Sequence, residues 1–320
     1  MESLIIKTEK WAEVNQEKLI DFTIDVWKKK GSTLTNEQLQ RWFQRMDFDI
    51  PPLCIQAFIN GELVGWILLA YHSEEEAEIN PWLLNGHPIC KQNLSEKYEI
   101  SKTLIESAKN LITPTKVTRL EINFKNNIAY DQDFGDLYST LGFYLLEENC
   151  HMRLNLLQNR NPEKIFSSMY SIIPLTSIDE KELFNCFQFI FRNSEDKWLL
   201  DKSDKELKQY FDDTIINSRF QLISDVSIAI LDQDKIIAFS VIRESHGEAN
   251  GHIWIMGVHP EYRKQGLGKY LINYSKQLLP VKGYKTLSLN VDLSNIPAVR
   301  LYESQGFNKN WIQTNYTWRK

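Results

Sequence analysis

Alternating and periodic apolar positions divide the chain into strand-like and helix-like segments. The run His252–Met256 is apolar and rich in β-favouring residues, and Tyr270–Leu279 carries apolar residues at helical spacing. Amphipathic helices are predicted in pairs, near Val14–Trp27 and Asn36–Met46 in the first half and near Glu180–Phe191 and Asp204–Ile216 in the second. Strands and helices in this arrangement predict an α+β fold.

The order of elements repeats along the chain. The segment Ile55–Leu68 is predicted as two strands joined by a tight Asn-Gly turn, and Ser227–Ser240 has the same pattern. Toward the end of each half, a Leu-Tyr pair on a helix is followed by Gly-Phe at equal spacing, in Leu137–Phe143 and Leu301–Phe307. A repeat of this length indicates two copies of one fold.

Each copy is predicted to be a mixed, mostly antiparallel sheet flanked by helices. The boundary is placed in Gln158–Pro162, a polar stretch with a helix-blocking proline, so the predicted domains are residues 1–158 and 159–320. A chain of 320 residues is long enough for two such cores.

One segment of the second half carries candidate chemistry. Val258–Lys269 combines a strand end, a turn, a loop with two glycines and the start of a helix. Gly266 and Gly268 lack a Cβ, which allows the backbone to turn tightly and approach a ligand closely. Unpaired N–H groups in the first helical turn, together with the positive charge of Arg263 and Lys264, favour a phosphate. Taken alone, the glycines also fit an ordinary strand–helix loop.

Two motifs in this half resemble those of the GNAT acetyltransferase superfamily. The first is its acetyl-CoA-binding pattern, Val-x-Pro-x-Tyr-Arg followed by Arg/Gln-x-x-Gly-x-Gly/Ala, which the chain matches from Val258 to Gly268. The second is Asn-x-x-Ala-x-x-x-Tyr-x-x-x-Gly-Phe, which the chain matches from Asn295 to Phe307. Two motifs in the expected order make a chance match improbable.

The resemblance implies a tandem GNAT protein in which a splayed pair of strands in the second domain holds acetyl-CoA. It assigns cofactor binding to a strand end, the loop and helix start that follow it, and one asparagine: Met256, Gly257, Val258, Arg263, Lys264, Gln265, Gly266, Leu267, Gly268, Lys269 and Asn295. It also implies a β-bulge in the first of the splayed strands, which we place at Gly257.

The resemblance also implies catalytic roles. It places Tyr302 beside the thioester sulfur, where a phenol can protonate the departing thiolate. The backbone N–H groups of Met256, Gly257 and Val258 are the candidates for stabilising the developing oxyanion.

The general base is assigned by position. His252 stands where many family members carry a glutamate, and imidazole is suited to proton transfer near neutral pH. A hydrogen-bonded histidine without a catalytic role fits the same position. His246, Glu248 and a water chain to a backbone carbonyl are the other bases that the sequence leaves open.

The first half lacks the phosphate-binding pattern. Its equivalent segment, Gly86–Ser95, contains a proline but no Arg-x-x-Gly-x-Gly. The position that corresponds to Asn295 is Asp131, whose carboxylate would repel phosphates. We therefore expect a degenerate first domain with a role in packing or substrate binding, and Tyr138 in its core. A residual acyl-CoA site in this half is the alternative.

Composition and charge argue against several other classes. The net charge of −5 gives no basis for binding nucleic acid or an anionic membrane, and no apolar run approaches the roughly 20 residues that span a bilayer. The four cysteines have no Cys-x-x-Cys spacing or histidine pairing, which argues against a disulfide framework or a metal site. The first residues show no signal-peptide core, so a cytoplasmic location is expected. A monomer or homodimer is the expected oligomeric state.

The combined expectation is an N-acetyltransferase that moves an acetyl group from acetyl-CoA to a primary amine of a small molecule or peptide, by direct attack in a ternary complex. No cysteine lies near the motifs, so no acyl-enzyme is expected. The alternatives are a non-catalytic acyl-CoA-binding sensor or scaffold and a structural pair of pseudo-enzymes. Four aromatic residues could line the acceptor pocket: Trp198, Tyr210, Phe211 and Trp254.

Overall fold

Contacts divide the chain into two units. The computed structural model describes residues 3–29, 32–45, 48–81, 84–91, 96–125, 134–157, 170–218, 220–245 and 249–320. The first unit comprises Met1–Leu146 and Gln313–Lys320, and the second comprises Glu147–Ile312. None of the helices in the described ranges is long and apolar enough to cross a membrane.

The first unit is a mixed, mostly antiparallel sheet with helices. Its strands are β1 (Leu4–Lys10), β2 (Leu53–Ile59), β3 (Glu62–Tyr71), β4 (Glu76–Ile79), β5 (Ile89–Cys90) and β6 (Arg119–Lys125), and its helices are α1 (Gln16–Lys28), α2 (Asn36–Arg45), α3 (Lys97–Ile112) and α4 (Phe134–Thr140). The strand order is β1-β2-β3-β4-β6, with β5 beside β3. The described pairs are antiparallel except for β4 with β6, which run parallel.

Two strands, β7 (Tyr144–Asn155) and β13 (Asn308–Arg319), each contribute residues to both units. Gln313–Arg319 of β13 pairs antiparallel with β6 in the first unit. Asn149–Asn155 of β7 pairs antiparallel with β12 (Thr286–Asp292) in the second. Each half of the sequence therefore supplies the last strand of the other half's sheet.

The second unit has the same kind of sheet, in the order β8-β9-β10-β11-β12-β7. Its other strands are β8 (Ser171–Pro174), β9 (Ile228–Asp232), β10 (Lys235–Glu244) and β11 (Asn250–Val258), and its helices are α5 (Glu180–Arg192), α6 (Lys197–Asp201), α7 (Asp204–Phe211), α8 (Leu267–Val281) and α9 (Ile296–Ser304). A π-helical turn, Asp212–Ile216, extends α7. The paired amphipathic helices predicted in each half are confirmed, whereas the short helix α6 was not predicted.

Helices cover both faces of this second sheet. Phe239 and Val241 of β10 pack in a cluster with α5 and α7, while Ala238 and Ile242 pack with α8 on the opposite face. Side chains alternate between the two faces of a strand, so alternate residues of β10 pack against the helices on opposite faces of the sheet. The mixed α+β fold predicted from the repeat is thereby confirmed.

The internal repeat extends to local irregularities. Both predicted hairpins are present, with left-handed residues at Asn60 and Gly61 in the first turn and at Gln233 in the second. In each hairpin the third residue of the second strand is an extra, unpaired residue, Val64 in β3 and Ile237 in β10. The same bulge at the same place indicates two copies of one structural plan.

The division into units differs from the predicted domains, 1–158 and 159–320. The structural boundary follows Leu146, and Gln313–Lys320 belongs to the first unit. The reason is the pairing of β7 and β13 with distant strands, which a local sequence pattern does not reveal. The predicted join, Gln158–Pro162, lies outside the described residues.

Candidate active site

The glycine loop connects β11 to α8. Lys264 and Gly266 have left-handed backbone conformations, with φ of 62° and 84°, and Gly266 directly precedes the first residue of α8, Leu267. Such conformations turn nearby N–H groups toward one side of a loop. The N–H groups of Gln265 and Gly266 have no acceptor among the described residues, and the first turn of α8 adds unpaired donors. The loop therefore presents a concave set of donors suited to a phosphate.

The side chain of Arg263, a predicted cofactor-binding residue, is turned toward the protein. Its Nε donates to the carbonyl oxygen of Val258 at 3.2 Å, its Nη1 to that of Asn193 at 2.7 Å and its Nη2 to that of Ile190 at 3.4 Å. The last carbonyl groups of a helix lack helical partners, and here they belong to α5. Arg263 therefore ties the loop to the end of α5.

Two further contacts fix the loop. The hydroxyl of Tyr262 donates to Asp232 Oδ2 at 2.8 Å, and Nε2 of Gln265 donates to the carbonyl oxygen of Glu261 at 3.2 Å. The side chains of the remaining basic residues, Lys264 and Lys269, are exposed. Their charges lie at the surface of the loop, where they can add to the attraction of an anion.

Two glycines of the motif allow neighbouring helices to approach closely. A Cβ on Gly268 would lie 2.9 Å from Cδ2 of Leu301, and a Cβ on Gly257 would lie 2.9 Å from Cγ2 of Ile190. Both distances are shorter than two carbon atoms tolerate. Gly268 thus brings the start of α8 against α9, the helix that carries Tyr302, and Gly257 brings α5 onto β11.

β11 and β12 are paired over only part of their length. Parallel pairing joins Asn250–Ile253 to Thr286–Leu289, although β11 continues to Val258 and β12 to Asp292. The unpaired ends leave a gap between two neighbouring strands of one sheet. This is the splayed pair that the resemblance implies.

The cause of the separation is a bulge at Trp254. Ile253 and Ile255 pair with consecutive residues of β10, so Trp254 has no partner in the ladder. The prediction of a bulge at Gly257 is wrong, because the pairing is regular from Ile255 to Val258. The extra residue reverses the alternation of side chains, which is why Ile253 packs with α8 and Ile255 packs with α5.

Beyond the bulge, the backbone N–H groups of β11 point alternately to β10 and to the gap. His259 donates its N–H to the carbonyl oxygen of Ile237 at 2.8 Å, and the same ladder register continues through Gly257. Hydrogen-bonded pairs alternate in antiparallel strands, so Gly257 faces β10 while Met256 and Val258 face the gap. Of the three predicted oxyanion donors, Met256 and Val258 are therefore the two that a ligand in the gap can reach.

Tyr302 lies beside this gap. It belongs to the apolar cluster that includes Val291 of β12 and is packed against Met256 of β11. Its side chain is 7% exposed, and its phenol oxygen has no hydrogen-bond partner among the described residues. Burial, with a further contribution from the carboxylate of Asp196, raises the pKa of Tyr302. The phenol therefore holds its proton at neutral pH and can donate it.

The ends of α9 fix the position of Tyr302. Oδ1 of Asn295 accepts a hydrogen bond from the N–H of Ala298 at 3.3 Å, and Gly306 has φ of 88° just after the helix. These two residues cap α9 at its two ends. A contact of Asn295 with a bound ligand stays a prediction.

His252 lies in the paired part of β11, before the bulge. Its Nδ1 is 2.9 Å from Oγ of Ser288 on β12, and its ring centroid is 6.2 Å from that of His151. Burial, and then the neighbouring His151, lowers the pKa of His252 to about 4. The imidazole is neutral at physiological pH and a weak proton acceptor. Its role as the base stays a prediction, and the alternatives His246 and Glu248 lie outside the described residues.

Sequence reasoning missed a pair of carboxylates at the end of β12. Asp292 is the last residue of that strand and is 3% exposed, and its Oδ2 accepts the N–H of Lys197 at 3.3 Å. Asp196 caps α6, since its Oδ1 accepts the N–H of Leu199 at 2.9 Å. Burial, with Asp292 acting in the same direction, raises the pKa of Asp196 to about 6. The sequence signal was an N-cap residue before a short apolar run.

The aromatic residues expected to line an acceptor pocket fall into different settings. Trp198 and Tyr210 make an edge-to-face contact at 5.0 Å, and Asp196 contributes to a raised pKa of Tyr210 that is mainly due to burial. Phe211 is fully buried in the core between α5 and α7. Trp254 lies next to His252, with ring centroids 5.3 Å apart.

In the first unit, the chain itself occupies the corresponding strand edge. β4 and β6 pair only up to Ile79 and Ile122. Beyond that point, Oδ1 of Asn85 accepts the N–H of Lys125 at 2.6 Å and its Nδ2 donates to the carbonyl oxygen of Lys125 at 3.4 Å. A Cβ on Gly86 would lie 2.5 Å from the carbonyl oxygen of Asn123, so this segment crosses directly over β6.

Tyr138, the counterpart of Tyr302, is fully buried in the first unit. Its phenol oxygen lies 2.5 Å from Nδ1 of His87, and the imidazole packs between Phe124 and Phe134 with centroid distances of 4.2 Å and 4.8 Å. The prediction that Tyr138 is a core residue is confirmed. Within the expected counterpart of the phosphate loop, Gln92–Ser95 lies outside the described residues, as does Asp131.

Comparison with known proteins connects the second unit to an enzyme family. Residues 185–307 match the acetyltransferase (GNAT) family. The [ribosomal protein bS18]-alanine N-acetyltransferase of Escherichia coli K12 is 39% identical over 82 residues, which cover 26% of this chain and 54% of the relative. The mycothiol acetyltransferase of Thermomonospora curvata is 37% identical over 71 residues, which cover 22% of this chain and 24% of the relative. The chain thus spans about half the length, or less, of these curated relatives.

Solved structures resemble the chain over nearly its full length. A GCN5-related N-acetyltransferase from Sphaerobacter thermophilus superposes with a TM-score of 0.63 at 12% identity, covering 99% of this chain and 95% of the other. A tandem GNAT protein from the clavulanic acid biosynthesis pathway superposes with a TM-score of 0.53 at 14% identity, covering 99% of this chain and 98% of the other. At such identities the likeness establishes the fold. The chain therefore has the fold of tandem GNAT proteins, and its residues 185–307 form a domain of the GNAT acetyltransferase family.

Proposed function

We propose that the chain is an N-acetyltransferase that moves an acetyl group from acetyl-CoA to a primary amine of a small molecule or peptide, by direct attack in a ternary complex. The observation that carries this proposal is the separation of β11 from β12 beside the unpartnered phenol of Tyr302. The gap combines open backbone donors, from Met256 and Val258, with a proton donor. A thioester aminolysis needs both kinds of group.

Acetyl-CoA would contact the protein in two regions. The N–H groups of Gln265–Lys269 would hold the pyrophosphate of acetyl-CoA, because they converge at the positive end of α8 and Gly266 leaves the approach unobstructed. The pantetheine arm carries amide groups that can pair with the unpaired edge of β11 at Met256 and Val258. The pantetheine amides would form the same kind of hydrogen bonds with β11 that join the strands elsewhere in this sheet.

The chemistry follows from these positions. An N–H group of β11 aimed at the thioester carbonyl oxygen would stabilise the negative charge that develops when the amine attacks. The new C–N bond forms as the C–S bond breaks, and the hydroxyl of Tyr302 gives its proton to the departing thiolate. The raised pKa of Tyr302 keeps this proton available until the thiolate appears.

Direct transfer is favoured over an acyl-enzyme by the state of the thiols in this unit. Burial raises the pKa of Cys150, and it raises the pKa of Cys186 to about 12. The reactive form of a cysteine is the thiolate, which these surroundings suppress. Neither residue therefore has the activation that a covalent acyl carrier requires.

The relatives support an amine as the acceptor. One is named as an N-acetyltransferase that acts on an alanine of a ribosomal protein. His252 is the base predicted from the sequence, and as a neutral imidazole held by Ser288 it would accept a proton only weakly. A non-catalytic acyl-CoA sensor is the alternative function, and it would have no use for the proton donor Tyr302.

A thiol-release assay separates the two functions. Purified protein is incubated with acetyl-CoA and a panel of primary amines, while free thiol is followed with a chromogenic disulfide and products by mass spectrometry. An N-acetyltransferase releases thiol and an acetylated amine in equal amounts, in a manner that depends on the amine. Binding of acetyl-CoA without any amine-dependent thiol would favour the sensor instead.

The first unit is proposed to bind no acetyl-CoA. The side chain of Asn85 forms hydrogen bonds with both the N–H and the carbonyl group of Lys125, and Nδ1 of His87 forms one with the phenol of Tyr138. Calorimetric titration should therefore find one acetyl-CoA site per chain. Two equivalent sites would contradict a degenerate first domain.

A further inference from the structure

Two carboxylates lie near each other where β12 ends, beside the gap. Asp292 accepts the N–H groups of Lys197 at 3.3 Å and of Ser294 at 2.8 Å, so it joins the end of β12 to the start of α6. Asp196, the residue before Lys197, has its carboxyl on the N–H of Leu199. Asp196 is a partly exposed residue, whereas Asp292 is almost fully buried. A ligand can therefore reach Asp196 from the solvent side.

This carboxylate pair has no neutralising cation in the described part of the chain. Neither Asp196 nor Asp292 takes part in an ion pair there. The titratable groups that act on Asp196 or receive its influence are Asp292, Tyr210 and Tyr302. Buried acidic groups are normally paired with a cation because their desolvation is costly. The missing positive charge points to a ligand that brings one.

A second observation points to the same ligand position. Tyr302 is only 7% exposed, yet its phenol oxygen has no hydrogen-bond partner among the described residues. The oxygen itself is not among the buried polar atoms of the described residues that lack a partner, so it opens onto accessible space where a ligand can bond to it. Val291, the neighbour of Asp292 on β12, belongs to the same apolar cluster as Tyr302, and the carboxylate of Asp196 contributes to the raised pKa of this phenol. A group that satisfies Tyr302 therefore comes within reach of Asp196.

We propose that Asp196 and Asp292 form the acceptor end of the site, that they select a substrate whose amine arrives as a primary ammonium ion, and that Asp196 accepts its first proton. This inference rests on the proposed acetyl transfer and names the class of its acceptor. A neutral or anionic nucleophile would leave the two carboxylates unpaired. A cationic amine offsets one of the two negative charges and places its nitrogen on the side of the proton donor Tyr302.

The proton balance of the step is complete. The ammonium ion gives one proton to the carboxylate of Asp196 and becomes a neutral amine, whose lone pair forms the C–N bond to the thioester carbon. The C–S bond breaks, and the thiolate takes the proton of the Tyr302 hydroxyl. The second proton on the new amide nitrogen restores that hydroxyl, and Asp196 releases its proton to solvent. The net products are the acetylated amine, free CoA and one proton.

The test substitution is Asp196→Asn. Asparagine caps helices as well as aspartate does, so the bond to the N–H of Leu199 and the fold of α6 are retained. The matched control is Asp179→Asn, because Asp179 caps α5 in the same way through the N–H groups of Lys181 and Glu182. Acetyl-CoA affinity is measured for each variant by calorimetry, and thermal unfolding confirms that each is folded.

Two acceptors are compared for each protein, the best aliphatic amine of the panel and hydroxylamine, which is largely neutral at pH 7.5. For Asp196→Asn we expect kcat/KM with the aliphatic amine to fall by about 100-fold, and with hydroxylamine by less than about threefold. The rise of activity with pH around 6 should disappear with the carboxylate. Acetyl-CoA affinity and the Asp179→Asn control should match the wild type.

The outcomes separate this inference from the function on which it rests. If the wild type transfers acetyl groups but Asp196→Asn retains its rate with the aliphatic amine, the inference fails while acetyl transfer stands. An equal loss with both acceptors would also overturn it, because charge selection would then have no part. If the wild type releases no thiol with any amine, the proposed function itself fails.

Discussion

The phenol oxygen of Tyr138 lies 2.5 Å from Nδ1 of His87, at the place where the second unit leaves the phenol of Tyr302 without a partner. The two tyrosines follow the same motif on equivalent helices. One hydroxyl has a partner inside the protein, and the other has none among the described residues. The pair therefore provides a matched comparison within one chain.

We expect Tyr302→Phe to lower kcat by about 100-fold or more, with acetyl-CoA affinity changed by less than about twofold, because the phenol acts on the leaving thiolate rather than on ground-state binding. Steady-state kinetics and calorimetry measure the two quantities. Tyr138→Phe is the control, and it should keep the wild-type kcat. A Tyr302→Phe enzyme with normal turnover would remove the acid role.

Gly266→Asp should abolish binding of acetyl-CoA, a loss of at least about 100-fold or roughly 3 kcal/mol, because it places a carboxylate among donors that face a pyrophosphate. The left-handed backbone at this position adds strain of about 1 kcal/mol. Gly283→Asp controls for that strain, since Gly283 has φ of 87° with open space around it at the other end of α8. Calorimetry should show normal binding by the control, and binding retained by Gly266→Asp would contradict the phosphate-loop assignment.

The substitution Arg263→Lys tests whether Arg263 acts by linking the loop to the end of α5 or only by its positive charge. The guanidinium reaches three carbonyl groups with a geometry that an ammonium cannot reproduce. We expect Arg263→Lys and Arg263→Ala to raise the KM for acetyl-CoA by a similar factor of about 10, with a smaller change in kcat. A lysine variant with wild-type KM would show that the charge alone matters.

Asp196→Asn should also change stability in a pH-dependent way. The pKa of Asp196 is raised from 3.8 to about 6 by folding, so the folded state binds more protons than the unfolded state between these values. Its contribution to stability therefore falls as the pH rises from about 4 to about 6, and its cost is greatest above that range. The variant should unfold at a higher temperature than the wild type at pH 7.5, with the difference shrinking toward pH 4. A constant difference would argue against the raised pKa.

In the first unit, Asn85→Ala should destabilise without changing catalysis. The substitution removes both bonds to the backbone of Lys125, and each unsatisfied backbone group costs about 1–3 kcal/mol when it is buried. Thermal unfolding would show a lower midpoint, and the thiol-release assay an unchanged kcat. Asn60→Ala, in the exposed turn of the first hairpin, serves as a surface control. A second acetyl-CoA site in Asn85→Ala would show that the first unit is closed by this segment alone.

The sequence predicts much of the fold and the centre of the site. Gly266 and Tyr302 belong to motifs whose spacing is local, and the structure has Gly266 directly before α8 and Tyr302 on α9, as the motifs predict. Asp196 was missed because α6 has five residues, too few for an apolar period to emerge. The bulge was assigned to Gly257 because glycine fits one, whereas the ladder register with β10 places it at Trp254.

Other features depend on contacts that no local pattern contains. Asn85 pairs with Lys125 across forty positions of sequence. Its side-chain amide pairs with the backbone of Lys125 as a neighbouring strand would. That the edge of β6 is covered therefore becomes visible only when both segments are placed side by side. The predicted domain boundary has the same limitation, since the strand pairings that decide it join distant parts of the chain.

Because β13 is the partner of β6, the sheet of the first unit cannot be completed until residues 313–319 have been synthesised. β6 ends at Lys125, but its partner begins at Gln313. At ribosomal speeds of about 5–20 residues per second, one edge of the first unit's sheet waits on the order of 10 to 40 s for its neighbour. An unpaired strand edge attracts other strands during that interval. The nascent chain should therefore depend on chaperones most strongly between the emergence of these two segments, and a synonymous codon change that slows translation of the second unit should lower the yield of folded protein.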